Sequence, residues 1–232
     1  MTIPILSPSE QAFRRARESR ASLGERLAII AQSARVHRPH YMKAVDELVD
    51  RLNAIGAGDA PPAVGDKMPA FALPDHNGRL VRLQQLLADG PVVLAFHRGH
   101  WCPYCRLNMI GLSEIAHRVA PAQIIAISTE TRHYTRMMRD LIGGTFPFLS
   151  DLGATYSRSL DLTMCVEESL AAMIAEVGWD VPLYQGGGGW VIPIPAVFIV
   201  TPDGIIAARH VDPDYRQRMD LDQLIAEVAR LR

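Results

Sequence analysis

The sequence predicts an α/β protein, a mixed central sheet with helices on both faces behind a helical N-terminal extension. Three observations carry that expectation. Apolar runs of strand length, Val92-Val93-Leu94-Ala95-Phe96 and Gln123-Ile124-Ile125-Ala126-Ile127-Ser128, alternate with segments of helical period from about Val64 onward. Two turn signals, Asn77-Gly78 and Pro202-Asp203-Gly204, sit between short β-rich runs and read as hairpins. Up to about Gly56 the patterns are helical throughout.

Taken in order, Ser7-Pro8-Ser9-Glu10 resembles a helix start. Leu23, Leu27 and Ile30 follow at helical spacing, and Met42, Val45, Leu48, Val49 and Leu52 fall on one face of a further helix. Gly56-Ala57-Gly58-Asp59-Ala60-Pro61-Pro62 then breaks the pattern as a linker does, dividing an extension over residues 1–58 from a domain over 64–232. Within the domain, Phe71-Ala72-Leu73 and Leu80-Val81-Arg82-Leu83 form the first hairpin, the run 92–96 a buried strand, and the chain from Cys105 to Leu112 a helix. The strand 123–128 precedes a helix carrying Met137, Met138 and Leu141. Ala196-Val197-Phe198-Ile199-Val200 and Ile205-Ile206-Ala207-Ala208 make the second hairpin, and a closing helix carries Leu221, Leu224, Ile225 and Val228. Gly186-Gly187-Gly188-Gly189 reads as a flexible loop; no lysine with serine or threonine follows it, so it is not a phosphate cradle.

Composition narrows the function classes. The chain has 232 residues, 48% of them hydrophobic and 21% charged, with a formal net charge of −1, which offers no overall basic field for nucleic acid or anionic lipid. Arg14, Arg15, Arg17 and Arg20 read as a solvated helix face among acidic neighbours. The first eight residues lack the basic start and long apolar stretch of a signal peptide, and no later run is long enough to span a bilayer. A cytoplasmic location is therefore expected, where a Cys-x-x-Cys is more often catalytic than a structural staple.

That motif is Trp101-Cys102-Pro103-Tyr104-Cys105, at a strand-to-helix turn. Free amide groups and the helix dipole favour a thiolate there, and a second sulfur one turn away can close a disulfide. This is equipment for two-electron redox chemistry. A structural zinc site needs four ligands, whereas Cys165 stands alone and His97 and His100 belong to strand and turn respectively, so no metal is expected. Cys102, nearer the helix start, is expected to attack and Cys105 to resolve. Trp101 reads as a packing wall over the sulfurs, and Arg98 as a cation close enough to steady a thiolate. Cys165 reads as a small buried residue, and His97 and His100 as packing or surface residues.

From Val64 to Arg232 the chain resembles the thioredoxin-fold superfamily, and within it the peroxiredoxin-like branch of the alkyl hydroperoxide reductase and thiol-specific antioxidant family. The resemblance rests on Val64-Gly65-Asp66 with Pro69-Ala70-Phe71-Ala72-Leu73, on Phe96 through Cys105, on Asp151 after Phe148-Leu149-Ser150, and on Phe198 through Gly204. It implies a thioredoxin-like fold and a thiol-dependent peroxidase that reduces hydroperoxides through Cys102 and Cys105. Recycling by thioredoxin or a glutaredoxin-type reductant is implied too, with no metal or bound organic cofactor. The family's threonine and peroxide-attacking cysteine fall on Cys102 and Cys105, so the first departs from the pattern. The family's arginine before the penultimate core strand is Pro195 here, the place of a cis proline in thioredoxins. A cis Ile194–Pro195 bond facing the cysteines is therefore expected.

Two other readings stay open. A thioredoxin-like disulfide oxidoreductase needs an exposed attacker and a neighbouring resolver. A redox sensor would use disulfide closure to move the Gly186–Gly189 loop or the N-terminal helices. Those amphipathic helices could cover the fold itself or pair across a homodimer.

Overall fold

The computed structural model describes residues 6–231. Met1–Ile5, part of the stretch read for a signal peptide, and Arg232 lie outside them. Helix α1 (Pro8–Glu18) starts on Ser7, whose Oγ accepts the Glu10 N–H while the Glu10 carboxylate accepts the Ser7 N–H. Ser22 and Glu25 repeat this reciprocal cap at α2 (Leu23–His37). Helix α3 (Pro39–Ala54) opens with proline at its first position, where the missing N–H costs nothing. The apolar residues predicted for α2 and α3 are all buried, and Arg14, Arg15, Arg17 and Arg20 are exposed.

Strands β1 (Ala72–Pro74) and β2 (Leu80–Arg82) pair antiparallel around Asn77-Gly78. Asp75 Oδ1 accepts the N–H groups of Asn77 and Arg79, and Gly78 supplies the positive φ that the turn requires. The chain continues through α4 (Leu83–Ala88), β3 (Val92–Phe96), α5 (Pro103–Val119), β4 (Gln123–Ser128), α6 (Arg132–Ile142) and β5 (Phe148–Ser150). After α7 (Thr155–Ser159) come β6 (Thr163–Cys165), α8 (Glu168–Ala175), α9 (Val181–Tyr184) and β7 (Val191–Pro193). The chain ends with β8 (Ala196–Val200), β9 (Ile206–Val211) and α10 (Leu221–Ala229).

The main sheet has the order β5-β4-β3-β8-β9. β3 runs parallel to β4 and antiparallel to β8, Phe96 standing opposite Ile127 on one side and Ala196 on the other. Every residue of β3 and β8 is buried, as continuous apolar runs require of central strands covered on both faces. Helix α5 packs against α6 and α10, and also against α1 and α2. The fold is thioredoxin-like, with an N-terminal helical extension whose buried side chains join the same hydrophobic core as the sheet.

Two local expectations are corrected. The Ile194–Pro195 bond is not cis; the cis X–Pro bond among the described residues is Ala120–Pro121. Cys165 is exposed, because it ends β6 in a two-stranded sheet with β7 at the rim rather than entering the core. Residues 155–193 carry α7, β6, α8, α9 and β7, elements too short to show a period in the sequence. No helix among the described residues is long and apolar enough to cross a membrane.

Candidate active site

The chain leaves the C-terminal end of the middle strand, β3, through His97-Arg98-Gly99-His100-Trp101 and enters α5. Gly99 has φ +145°, and a Cβ there would lie 2.6 Å from Glu130 Oε1, so the turn needs glycine. His100 is held by buried Glu130, its N–H donating to Oε2 at 2.9 Å and its Nδ1 lying 2.7 Å from Oε1. The His100 ring stacks on Tyr134 at 4.9 Å. Cys102 is the N-cap of α5, with extended backbone and no side-chain cap bond, and Pro103 occupies the first helical position. Cys105 therefore stands in the first turn, among the amide groups that lack helical acceptors.

Both sulfurs are buried, Cys102 at 1% and Cys105 at 0% exposure. Burial pushes the Cys105 thiol up, but the Cys102 S–H donating to it, the guanidinium groups of Arg218 and Arg98, and the Arg98 N–H together outweigh that penalty. Cys105 is held well below the ordinary cysteine value. Arg218 Nη2 lies 3.6 Å from Cys105 Sγ, and the Arg98 N–H donates to the same sulfur at 3.4 Å. Burial and the hydrogen bond to Cys105 push the Cys102 thiol the other way, well above its usual value. The two shifts run in opposite directions, favouring the proton on Cys102 and the negative charge on Cys105 when the pair loses its first proton. The expectation that the sulfur nearer the helix start carries the lower pKa is reversed, because the Cys102 S–H and the Arg98 N–H both donate to Cys105, whereas the two guanidinium groups lower both sulfurs.

Trp101 is 4% exposed and packs beside the sulfurs, with the Arg98 guanidinium carbon 4.8 Å from its ring and the Trp179 ring 5.5 Å away. Arg98 is 2% exposed and lies 3.8 Å over the Tyr215 ring. Pro195 is buried immediately before β8, whose first residue pairs with Phe96. His97 is buried with neither ring nitrogen hydrogen-bonded, and desolvation lowers its pKa to about 3. It is neutral near pH 7 and cannot serve as a cation for a departing oxygen. Cys165 lies outside this cluster, exposed on β6. Among the described residues no group of three or more His, Cys, Asp or Glu side chains is placed to hold a metal.

Arg218 is the residue that sequence reasoning missed. It comes from the β9–α10 loop, 113 positions from Cys105, and no spacing rule links the two. Its Nη1 donates to the carbonyls of Tyr215 and Gln217. The loop is in turn tied to the extension, since Arg216 bonds both Asp214 and Asp46 of α3, and the Tyr215 hydroxyl lies 3.3 Å from that of Tyr41. A cleft of about 570 Å³ opens between the extension and the start of α5. Cys102, Arg98, Trp101 and Tyr104 line it, whereas Cys105 lies behind them.

Comparison with known proteins places the fold and most of the chain in one family. The sequence profile of the AhpC/TSA family matches residues 64–209, more than half of the chain. Proteins from two strains of Mycobacterium tuberculosis that carry a provisional peroxiredoxin name are 33% identical over 93 residues, 39% of this chain and 60% of theirs. The fold matches the crystal structure of peroxidoxin BcpB from Mycobacterium tuberculosis with a TM-score of 0.57 at 22% identity, covering 73% of this chain and 97% of that one. A peroxiredoxin-like protein from Aquifex aeolicus matches with a TM-score of 0.55 at 16% identity, covering 75% of this chain and 91% of that one. With the matched span covering more than half of the chain and the fold in agreement, this chain belongs to the AhpC/TSA family, which supports a thiol-based redox function in general terms.

Proposed function

We propose that the protein is a thiol peroxidase that reduces hydroperoxides through a Cys102–Cys105 cycle, with Cys102 attacking. The observation that carries this reading is the placement of the two sulfurs, Cys102 in the lining of the cleft and Cys105 behind it against Arg218 and the Arg98 N–H. Cys102 borders the cleft and donates its S–H to a Cys105 thiolate held by Arg218 and the Arg98 N–H. As Cys102 Sγ attacks the distal peroxide oxygen, its proton passes to Cys105, the O–O bond breaks, and an alkoxide leaves. The alkoxide takes that proton, giving an alcohol, Cys102 sulfenic acid and a restored Cys105 thiolate. Cys105 then attacks Cys102 Sγ, hydroxide departs and is protonated to water, and the disulfide closes. An external dithiol of the thioredoxin or glutaredoxin class returns both cysteines to thiols and is itself oxidised to a disulfide.

Disulfide exchange with protein thiols is the competing chemistry for the same sulfurs. Its strongest argument was a cis proline at 195, and that bond is not cis. The order of attack is tested by sulfenic-acid trapping after one equivalent of peroxide. Cys105→Ser is expected to accumulate the adduct at Cys102, and Cys102→Ser to lose turnover without one. Adduct at Cys105 in the Cys102→Ser protein, with none at Cys102 in the other, would assign the attack to Cys105.

A further inference from the structure

The cleft lining holds guanidinium groups besides the Arg218 that touches Cys105: Arg38 and Arg106, and Arg98, whose charge also lowers both sulfurs. The Cys105 anion is already met by Arg218 and by the Arg98 N–H. The Arg98 guanidinium, almost wholly buried, rests on the rings of Tyr215 and Trp101. Arg38 donates to the Met173 carbonyl at 3.1 Å and lies over the Tyr41 ring, and Arg106 lies over the Phe13 ring. Among the described residues none of these three guanidinium groups pairs with a carboxylate. The acidic residue in the lining is Glu10, at the exposed rim, and its Oε2 is occupied by the N–H and O–H of Ser7. Three buried donors of the lining, Arg98 Nε, Trp101 Nε1 and the Tyr104 hydroxyl, have no hydrogen-bond partner in the protein. A buried charge and buried donors left without acceptors are costly unless a ligand supplies the acceptors.

Apart from Ser7, Ser9 and Ser33 the rest of the lining is apolar or aromatic and includes Phe13, Ile30, Tyr41, Val177 and Trp179. At about 570 Å³ the space is that of a small-molecule pocket, far larger than hydrogen peroxide requires. An apolar body with an anionic group satisfies both halves of this lining. Resting on the peroxidase reading for its reactive group, we infer that the cleft takes the hydroperoxide of an amphipathic organic acid, its carboxylate on the guanidinium groups of Arg38, Arg98 and Arg106. The N-terminal helices, which carry Phe13, Ile30, Arg38 and Tyr41, are then a substrate-recognition wall.

The test compares the hydroperoxide of a long-chain unsaturated fatty acid with its methyl ester, two substrates alike except for the charge. The acid should have a kcat/KM about tenfold or more above the ester at low ionic strength. That ratio should fall toward one in the Arg38→Gln, Arg106→Gln protein. The redox-inert hydroxy acid and its methyl ester give a second readout in wild type, through quenching of tryptophan fluorescence, with the acid binding about tenfold tighter. Turnover of peroxides with equal kinetics and binding for acid and ester would overturn this inference and leave the peroxidase reading intact. Absence of peroxide turnover with preferential binding of the hydroxy acid would do the reverse.

Discussion

The hydrogen bond from Cys102, the close approach of Arg218 and the Arg98 N–H together favour charge on Cys105. Thiolate is the reactive form, whether it rests on Cys105 or forms on Cys102 as the proton moves to Cys105, so a lowered pKa of the pair moves the onset of alkylation to lower pH. In wild type the iodoacetamide reaction of the pair should rise well below the ordinary cysteine midpoint of about 8.5. Arg218→Gln should move that rise up by roughly one unit or more, since removing an opposite charge within a few ångströms raises the pKa of the group it served. Identical profiles for the two proteins would remove Arg218 from the account. At this scale the sequence was legible where chemistry is local: Cys102, Cys105, Trp101 and Arg98 fall within eight residues and meet in space. Arg218 was not, because only the closure of the β9–α10 loop over α5 brings it to Cys105. Cys165 was misread because burial habit is an average over free cysteines, and an end position on a two-stranded rim sheet does not share it.

Among the elements, α5 and the β9–α10 loop set the site, and α3 holds the loop. Asp46 on α3 binds Arg216, and Arg216 is bidentate on Asp214, four positions ahead of Arg218. Asp46→Ala should therefore raise the pH at which the pair becomes reactive, in the same direction as Arg218→Gln and by less. Because the Asp46 side chain is 38% exposed, the stability loss should stay below about 1 kcal/mol. Denaturant midpoints and alkylation profiles measured on one preparation separate the two effects; a large stability loss with an unchanged profile would show that α3 braces the fold and not the site. The elements themselves were well marked where a cap or a turn residue fixes them, as at Ser7, Ser22 and Asn77-Gly78. Between Thr155 and Pro193 they are three to eight residues long, and tertiary packing rather than period defines them.

For the whole molecule, alternation of strand and helix was enough to predict the mixed sheet, since buried central strands admit little besides continuous apolar runs. The relation of the extension to the sheet was not contained in any period. The amphipathic faces of α2 and α3 say that something covers them, and the structure shows that they join the core beside the cysteines and leave the cleft between. The proposed redox cycle is confined to one end of one helix, with the exposed Cys165 outside it. The account predicts that oxidation by one equivalent of hydroperoxide, followed by peptide mass mapping under non-reducing conditions, yields a Cys102–Cys105 disulfide with Cys165 as a free thiol. A dominant crosslink from either active-site cysteine to Cys165 would contradict it and make Cys165 the resolving residue.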